Sequence, residues 1–454
     1  MIQWHPKHIP IERSCSSAKK IQYAPYTILS SGFLLLIIIG AALLKLPIAT
    51  YEPISWVQSF FTATSAVTVT GLVVVDTGSA FTLFGQLVIA LLIQLGGLGL
   101  MTFAIVTLIA LGGRIGFLEK VVAKEAFNQT DSSTLIATAK SVIIFALTVE
   151  LVGMLILAMY WSDELGWQTS LFHGFFYTIS AFNNAGFALS ADSLIPYVSD
   201  PVVNITITAL FIIGGLGFSV WIDIKRKKRW SKLTVYSRLM ILGTIALNSV
   251  ALIAIYLIEQ DNPNTLAPLS ESGKWLAAWF QAVTPRTAGF NTLPIDQLED
   301  SSTLMMLMLM FIGGGSMSTA SGIKVVTFIV LLLATYSFLR RDEQVLAFNR
   351  EISKESIKKA LAITMISAGV TWLAVFLLLL TEHAPMLDIL FEAVSALGTV
   401  GLSRGLTSQL TSQGEFIIIV LMFIGRVGPL TLAYILAAPR QKKLRFAETK
   451  IAIG

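Results

Sequence analysis

Long apolar runs recur along this chain and limit what it can fold into. A helix needs about 20 predominantly apolar residues to cross a bilayer. We place eight such predicted spans at about 27–49, 81–112, 136–161, 202–224, 237–259, 303–339, 359–381 and 415–437. Only 13% of the 454 residues are charged, whereas a soluble domain carries about 25%. The sequence therefore predicts an all-α polytopic membrane protein with eight transmembrane helices, helical throughout because lipid offers the backbone no hydrogen-bond partners.

Lysine and arginine are concentrated in alternate connections between these spans. Segments 225–232 and 340–359 carry basic clusters, whereas 46–80 and 162–200 contain no Lys or Arg. The positive-inside rule then predicts that both termini are cytoplasmic. The net charge of +5 is explained by this topology rather than by nucleic-acid binding. The single cysteine, Cys15, excludes an intramolecular disulfide and any CxxC metal site.

Four connections share one pattern: Phe, then Ser or Thr four residues later, and a final Gly followed by Leu or Phe. They read FTATSAVTVTGL at 61–72, FYTISAFNNAGF at 176–187, FQAVTPRTAGF at 280–290 and FEAVSALGTVGL at 391–402. Each is followed, in the next span, by a second shared mark: LGGLG at 95–99, IGGLG at 213–217, IGGGS at 312–316 and IGRVG at 424–428. Repetition of this kind predicts four tandem helix–re-entrant P-loop–helix repeats around a pseudo-fourfold pore.

The predicted division of the chain follows from these repeats. A cytoplasmic N-terminal tail occupies 1–26 and is followed by repeats at 27–125, 126–230, 231–350 and 351–454, the last of which includes a cytoplasmic C-terminal tail. Each hairpin should contain a short helix, over about 54–66 in the first copy and 386–397 in the fourth. Pro53 and Pro385 suit the first turn of these helices. An extended stretch closed by glycine follows each short helix.

These stretches suit a cation site made of backbone. Rings of carbonyl oxygens can replace the hydration shell of an ion, and glycine adopts the backbone angles that aim carbonyls inward. The alternative is that the glycines only turn or pack the hairpins. The predicted ion-binding residues are Thr68, Val69, Thr70, Gly71, Asn183, Asn184, Ala185, Gly186, Arg286, Thr287, Ala288, Gly289, Gly398, Thr399, Val400 and Gly401.

Two departures from the fourfold pattern predict a gate. The run GGGSMSTASG at 313–322 disfavours a continuous helix, because glycine costs about 1 kcal/mol per position relative to alanine. We predict an intramembrane loop at 313–324; the alternative is a glycine-rich packing face. Arg426 replaces a glycine of the shared mark and must be buried and paired. We hypothesise that it binds the loop; the alternative is a pair with Glu392 or Glu150. The predicted gating residues are Gly313, Gly314, Gly315, Ser316, Ser318, Thr319, Ser321, Gly322, Lys324 and Arg426.

With its four Gly-ended hairpins and eight spans, the chain resembles the Trk/Ktr/HKT superfamily of potassium transporters over essentially its whole length. It is most similar to the translocating subunit of the bacterial Ktr system. The resemblance implies potassium uptake, and glycine at Gly71 implies selectivity for K⁺ over Na⁺. It further implies a flexible gating loop at 313–324, Na⁺ as a coupling or activating ion, and no organic cofactor. It also implies a homodimer in the bacterial inner membrane and a cytoplasmic nucleotide-binding regulatory subunit that forms a KtrA-like ring.

The residue content also bears on other classes of function. The four histidines, His5, His8, His173 and His383, lie outside the predicted span interiors, and the H-E-x-x-H zinc pattern is absent. The chain is therefore not expected to be an enzyme. A secondary transporter of another monovalent cation or small solute remains the alternative, although such folds commonly use inverted repeats and these copies are parallel.

Overall fold

The computed structural model describes residues 25–110, 132–316 and 318–428, and these form a helical protein. Its helices are α1 (Pro25–Leu44), α2 (Trp56–Thr68), α3 (Thr77–Ala80), α4 (Leu83–Ala110), α5 (Ser132–Leu165), α6 (Trp167–Phe182), α7 (Pro201–Gly215), α8 (Phe218–Lys227), α9 (Val235–Glu259), α10 (Glu271–Val283), α11 (Asp300–Phe311), α12 (Val325–Arg340), α13 (Lys354–Thr381), α14 (Met386–Gly398) and α15 (Ser412–Val427). A two-residue hairpin, β1 (Leu346–Ala347) with β2 (Arg350–Glu351), is antiparallel and pairs Leu346 with Glu351. The predicted N-terminal tail before Pro25, the chain after Gly428 and the predicted boundary near residue 125 lie outside the described residues.

The surface of the long helices is strongly apolar. On α13, Met365 is 65% exposed, Trp372 64% and Leu380 70%, and α5 and α9 present similar faces. An apolar surface of this extent is stable against lipid rather than water. Within the described ranges, α5, α9 and α13 are long and apolar enough to cross a membrane as single helices, and α7 with α8 forms a fourth, bent candidate.

The interior is built around the ends of four short helices, α2, α6, α10 and α14. Their first turns are partly exposed, whereas the last turns are buried on all sides. The N-terminus of α2 is fixed by a capping box, in which Ser55 and Gln58 bond each other's backbone N–H groups. Pro385 is the N-cap of α14. The placement of Pro53 in a first helical turn was wrong, because the Ser55 cap starts α2 two residues beyond it.

The predicted spans that follow the hairpins are not continuous helices. Helix α4 is kinked at Gly99, with φ of 30°, and α7 meets α8 at 88° across a break at Gly217. Helices α11 and α12 are separated by residues 312–324, the interruption that the glycine-rich run predicted. Helix α15 ends before Gly428, with φ of 94°. A continuous helix over 202–224 was therefore a wrong prediction, since Gly217, the last glycine of the shared mark in this span, has φ of 97°.

Candidate functional site

Each short helix ends in a segment of four residues that closes with glycine. We call 68–71, 183–186, 286–289 and 398–401 the glycine segments. In each, the second residue and the final glycine have positive φ: Val69 and Gly71, Asn184 and Gly186, Thr287 and Gly289, Thr399 and Gly401. The predicted extended conformation was therefore wrong. In the first, second and fourth segments the first residue lies at the helix terminus, whereas Arg286 lies three residues beyond the end of α10. An alternation of negative and positive φ replaces a strand.

Backbone hydrogen bonds hold this alternation in place. In the first segment the Thr70 N–H donates to the Ser65 carbonyl at 2.8 Å. This bond spans six residues and closes the C-terminus of α2. The second and fourth segments form the same bond, from Ala185 to Ser180 and from Val400 to Ser395. The third hairpin is one residue shorter, and its bond instead runs from Ala288 to Thr284 at 3.0 Å. The shorter hairpin thus reaches the same left-handed geometry through a tighter closure.

The four glycine segments meet one another in a closed ring. A Cβ atom built on each glycine would lie 2.1–2.7 Å from the backbone of the next segment: Gly71 against Ala185, Gly186 against Gly289, Gly289 against Val400 and Gly401 against Thr70. Such contacts are too short for any side chain, and the positive φ adds strain to a substitution. Glycine is therefore required both for the turn and for the close approach of four peptide segments.

The carbonyl oxygens of the ring have no protein partner. Among the described residues, no hydrogen bond is donated to the carbonyls of 68–70, 183–185, 286–288 or 398–400, although these residues are buried. Buried backbone carbonyls are otherwise almost always paired. Unpaired carbonyl oxygens in four adjoining segments can replace the water around a cation, and this arrangement needs no carboxylate.

A hydroxyl side chain secures each segment from behind. The residues are the Ser or Thr of the shared hairpin pattern: Ser65, Ser180, Thr284 and Ser395. The Gly71 N–H donates to Ser65 Oγ at 3.1 Å and the Gly401 N–H donates to Ser395 Oγ at 3.2 Å. In the other two hairpins the hydroxyl donates to the carbonyl after the glycine. Our site prediction omitted these residues, although their recurrence in the aligned hairpins was the available signal.

A cavity of about 440 Å³ opens on one side of the ring and is lined by all four glycines. Its wall carries three aspartates from three different hairpin connections, Asp76, Asp192 and Asp296, and no lysine or arginine. Acidic groups around a concave entrance raise the local concentration of cations. These aspartates were not among the predicted site residues, because they lie beyond the shared hairpin pattern.

The interruption at 312–324 contacts the ring from the other direction. Thr319 Oγ1 lies 2.7 Å from Asn184 Oδ1 and 3.3 Å from the Phe182 carbonyl. The loop is further held by Gly315, whose N–H donates to the Gly215 carbonyl at 2.8 Å. Lys324 Nζ donates to the Ala320 carbonyl at 2.9 Å.

Arg426 joins this loop to helix α4. Its Nη1 donates to the Thr319 carbonyl and to Ser321 Oγ, the latter at 3.3 Å. Its Nη2 donates to the carbonyls of Gly96 and Gly97, at 3.2 Å for Gly97. The alternative of an ion pair with Glu392 or Glu150 is wrong. Across the described ranges the ion pairs are Lys227–Asp223 and Arg404–Asp388, and neither involves Arg426.

The two carboxylates proposed as its partners are satisfied elsewhere. Glu150 accepts from Gln94 Nε2 at 3.0 Å, and Gln94 Oε1 in turn accepts from Asn183 Nδ2 at 2.7 Å. Glu392 accepts from Ser403 Oγ at 2.8 Å and from Thr407 Oγ1. Both groups thus brace the hairpins rather than neutralise the arginine.

Only the backbone of Arg286 contributes to the ring. Its guanidinium extends to α9, where Nη1 donates to Asn248 Oδ1 at 2.9 Å and Nη2 lies 3.3 Å from Thr244 Oγ1. Asn183 likewise turns its side chain outward, toward Gln94. These two side chains support their segments from behind, although both residues were predicted as ion-binding.

The glycines of the shared marks have a packing role. A Cβ atom on Gly96 would lie 2.0 Å from the Val67 carbonyl, and one on Gly214 would lie 1.9 Å from the Phe182 carbonyl. Gly425 stands in the same relation to Leu397, at 2.1 Å. In these three copies the span approaches the C-terminal carbonyls of its own short helix so closely that only glycine fits.

A family model described as TrkH, cation transport protein, matches residues 13–444. The chain belongs to the TrkH family of cation transport proteins. It is 47% identical to the Ktr system potassium uptake protein B of Bacillus subtilis, over 96% of this chain and 98% of that protein. It is 34% identical to the potassium/sodium uptake protein NtpJ of Enterococcus hirae, over 95% and 97% of the two chains.

The fold has a solved counterpart in this family. The crystal structure of the potassium transporter TrkH from Vibrio parahaemolyticus superimposes with a TM-score of 0.71 at 19% identity, covering 90% of this chain and 85% of that one. At that identity the likeness concerns the helical fold alone. Members of the TrkH family are membrane transport proteins and not enzymes, in agreement with the expectation from the sequence.

Proposed function

We propose that this chain takes up potassium across a bacterial inner membrane through the ring of glycine segments. The observation that carries the proposal is the set of buried, unpaired carbonyl oxygens in the four adjoining glycine segments. A carbonyl cage stabilises a dehydrated monovalent cation without a fixed negative charge. Four tandem repeats with eight spans around a pseudo-fourfold axis provide this cage, and the aspartate-lined cavity is its outer entrance. The potassium uptake proteins among its relatives support the choice of ion.

The loop at 312–324 and Arg426 form the gate in this proposal. Arg426 places a positive charge among the Thr319, Gly96 and Gly97 carbonyls, on the side of the ring opposite the cavity. Lys324 adds a second positive charge to the loop. A cation leaving the ring meets both charges, so conduction requires the loop to move aside.

Sodium and partner subunits complete the proposed system. The Enterococcus relative is named for both potassium and sodium, which supports Na⁺ as a coupling or activating ion. The Bacillus relative is named as protein B of a system, which supports a separate regulatory component. We assign that role to a cytoplasmic nucleotide-binding ring acting on a homodimer of this chain.

The test replaces one glycine of the ring. Gly71→Ala and Gly401→Ala should each lower the preference for Rb⁺ over Na⁺ about tenfold, because left-handed strain alone costs roughly 1–3 kcal/mol. Uptake is measured in potassium-starved cells, with Na⁺ and Li⁺ as competitors. Gly166→Ala is the matched control, since Gly166 has φ of 74° but no neighbour within 4 Å. An unchanged preference in both ring variants would refute the carbonyl site and would favour the secondary-transporter alternative.

A further inference from the structure

Thr319 touches three parts of the molecule at once. Its hydroxyl contacts Asn184 and Phe182 of the second hairpin, and its carbonyl accepts from Arg426. Its N–H donates to the Gly214 carbonyl of α7 at 3.4 Å. Thr319 is 1% exposed, so these contacts are made in the absence of competing bulk water. One residue of the loop therefore reaches both the proposed gate and the ion ring.

The contact with Asn184 bears on the ring itself. Asn184 has φ of 60° and is the left-handed residue of the second glycine segment, two residues before Gly186. Asn184 Oδ1 accepts from Thr319, whereas Asn184 Nδ2 has no hydrogen-bond partner among the described residues. The Thr319 hydroxyl is thus the polar group that fixes how this side chain lies beneath the ring.

The packing of α7 keeps this contact possible. A Cβ atom on Gly214 would lie 1.9 Å from the Phe182 carbonyl, 2.9 Å from Thr319 Oγ1 and 3.1 Å from Asn184 Oδ1. Any side chain at position 214 would displace the hydroxyl from the amide. The glycine of the shared mark therefore leaves room for the loop as well as for the short helix.

We propose that Thr319 is a positioning residue for ion selectivity, so that the loop sets the shape of the second glycine segment as well as blocking the path. This inference rests on the proposed function, because it requires both the ring and the gate. When the loop moves, Arg426 loses its bond to the Thr319 carbonyl, and Asn184 loses its bond to the Thr319 hydroxyl at the same time. Opening of the path and relaxation of the second segment then become one event, so the ring selects the ion as it binds, with Thr319 in contact and the path closed, and releases it when the loop moves.

The test separates velocity from ion preference. Thr319→Val keeps the shape and the backbone contacts but leaves Asn184 Oδ1 buried without a donor. We expect the preference for Rb⁺ over Na⁺ to fall roughly five- to tenfold, the lower end of the effect of one unsatisfied buried group. Thr319→Ser keeps the hydroxyl and should therefore keep the wild-type preference for Rb⁺ over Na⁺. Ser321→Ala is the matched loop control, because Ser321 Oγ contacts Arg426 and not the ring; it should alter velocity alone.

A double-mutant cycle identifies the pathway of the effect. Asn184→Gly keeps the left-handed backbone and removes the amide, so Thr319→Val should have no further effect on preference in that background. Equal losses in both backgrounds would overturn the coupling through Asn184. An unchanged preference in Thr319→Val with a changed velocity would overturn the inference and leave the gate intact. Failure of the ring itself is read separately, from Gly71→Ala and Gly401→Ala.

Discussion

Three of the four non-glycine residues with positive φ in the ring are β-branched: Val69, Thr287 and Thr399. A β-branched side chain rarely adopts this conformation, and each instance costs about 1–3 kcal/mol. Three such residues at equivalent places indicate that the backbone geometry is imposed by its surroundings. The hydrogen bonds from Thr70, Ala288 and Val400 into the short helices supply that constraint. Strain held in this way is typical of functional sites rather than of ordinary turns.

The hydroxyls behind the ring should therefore matter more than their small size suggests. In Ser395→Ala the Gly401 N–H loses the acceptor that it has at 3.2 Å. An unsatisfied buried N–H costs about 1–3 kcal/mol, so we expect both a lower thermal stability in detergent and a weaker Rb⁺ preference. Ser301→Ala, at an exposed position near the start of α11, is the control. A Ser395→Ala protein with wild-type preference would show that this bond does not shape the ring.

At the scale of the elements, the sequence predicted the short helices and the loop closely. Helix α14 was expected at 386–397 and runs over Met386–Gly398, because its apolar spacing and its neighbouring proline are local signals. The breaks at Gly99 and Gly217 were missed. An apolar run with glycines is compatible with a straight span, and only contact with carbonyls such as that of Phe182 selects the bent form.

The partners of Arg426 also show what the sequence could and could not predict. Its position in mid-span required burial and hydrogen bonds, and the loop was a correct candidate. The carbonyls of Gly96 and Gly97 in α4 were not, since nothing local relates residues 330 positions apart. The buried charge of Arg426 required hydrogen-bond acceptors, whereas the tertiary packing of α4 beside α15 determined that these are the Gly96 and Gly97 carbonyls.

Arg426 should act by bridging as well as by charge. Its two nitrogens reach different elements, so Arg426→Gln frees the loop from α4 and we expect the maximal rate of Rb⁺ uptake to rise severalfold. Arg426→Lys keeps the charge but lacks the planar fork that serves two sides at once. The lysine variant should therefore show an intermediate rate. Equal, wild-type rates in both variants would contradict a gate built on this residue, whereas a wild-type rate in lysine alone would assign the effect to charge.

At the scale of the whole molecule, polar and apolar surfaces are inverted relative to a soluble protein. Threonines and serines such as Thr64, Thr68 and Ser395 are fully buried around the ring, while leucine and phenylalanine cover the outside. Some interior hydroxyls bond the backbone, as Thr68 Oγ1 does with the Thr64 carbonyl at 2.7 Å, whereas others, such as Thr64 Oγ1, have no partner among the described residues; the exterior is matched to lipid. In the proposed function, the ion follows the line from the aspartate cavity through the ring to Arg426.

The direction of that axis in the membrane is predicted by the basic residues. Segments 225–232 and 340–359 carry the Lys and Arg clusters, and 46–80 carries none, so the aspartate cavity should face outward. The single native cysteine, Cys15, allows a test in a Cys15→Ser background. Exposed positions on the two sides are Glu52, Asp163, Lys228 and Glu343. Each is changed to cysteine and treated with a membrane-impermeant maleimide.

Glu52→Cys and Asp163→Cys should react in intact cells, because the connections that they belong to lie on the cavity side. Lys228→Cys and Glu343→Cys should react only after the membrane is permeabilised. All four must react in detergent, which controls for local access. The reverse pattern would place the basic clusters outside and the cavity inside. Inward potassium flow would then meet Arg426 before the ring, and the proposed gate would have to act on entry rather than on release.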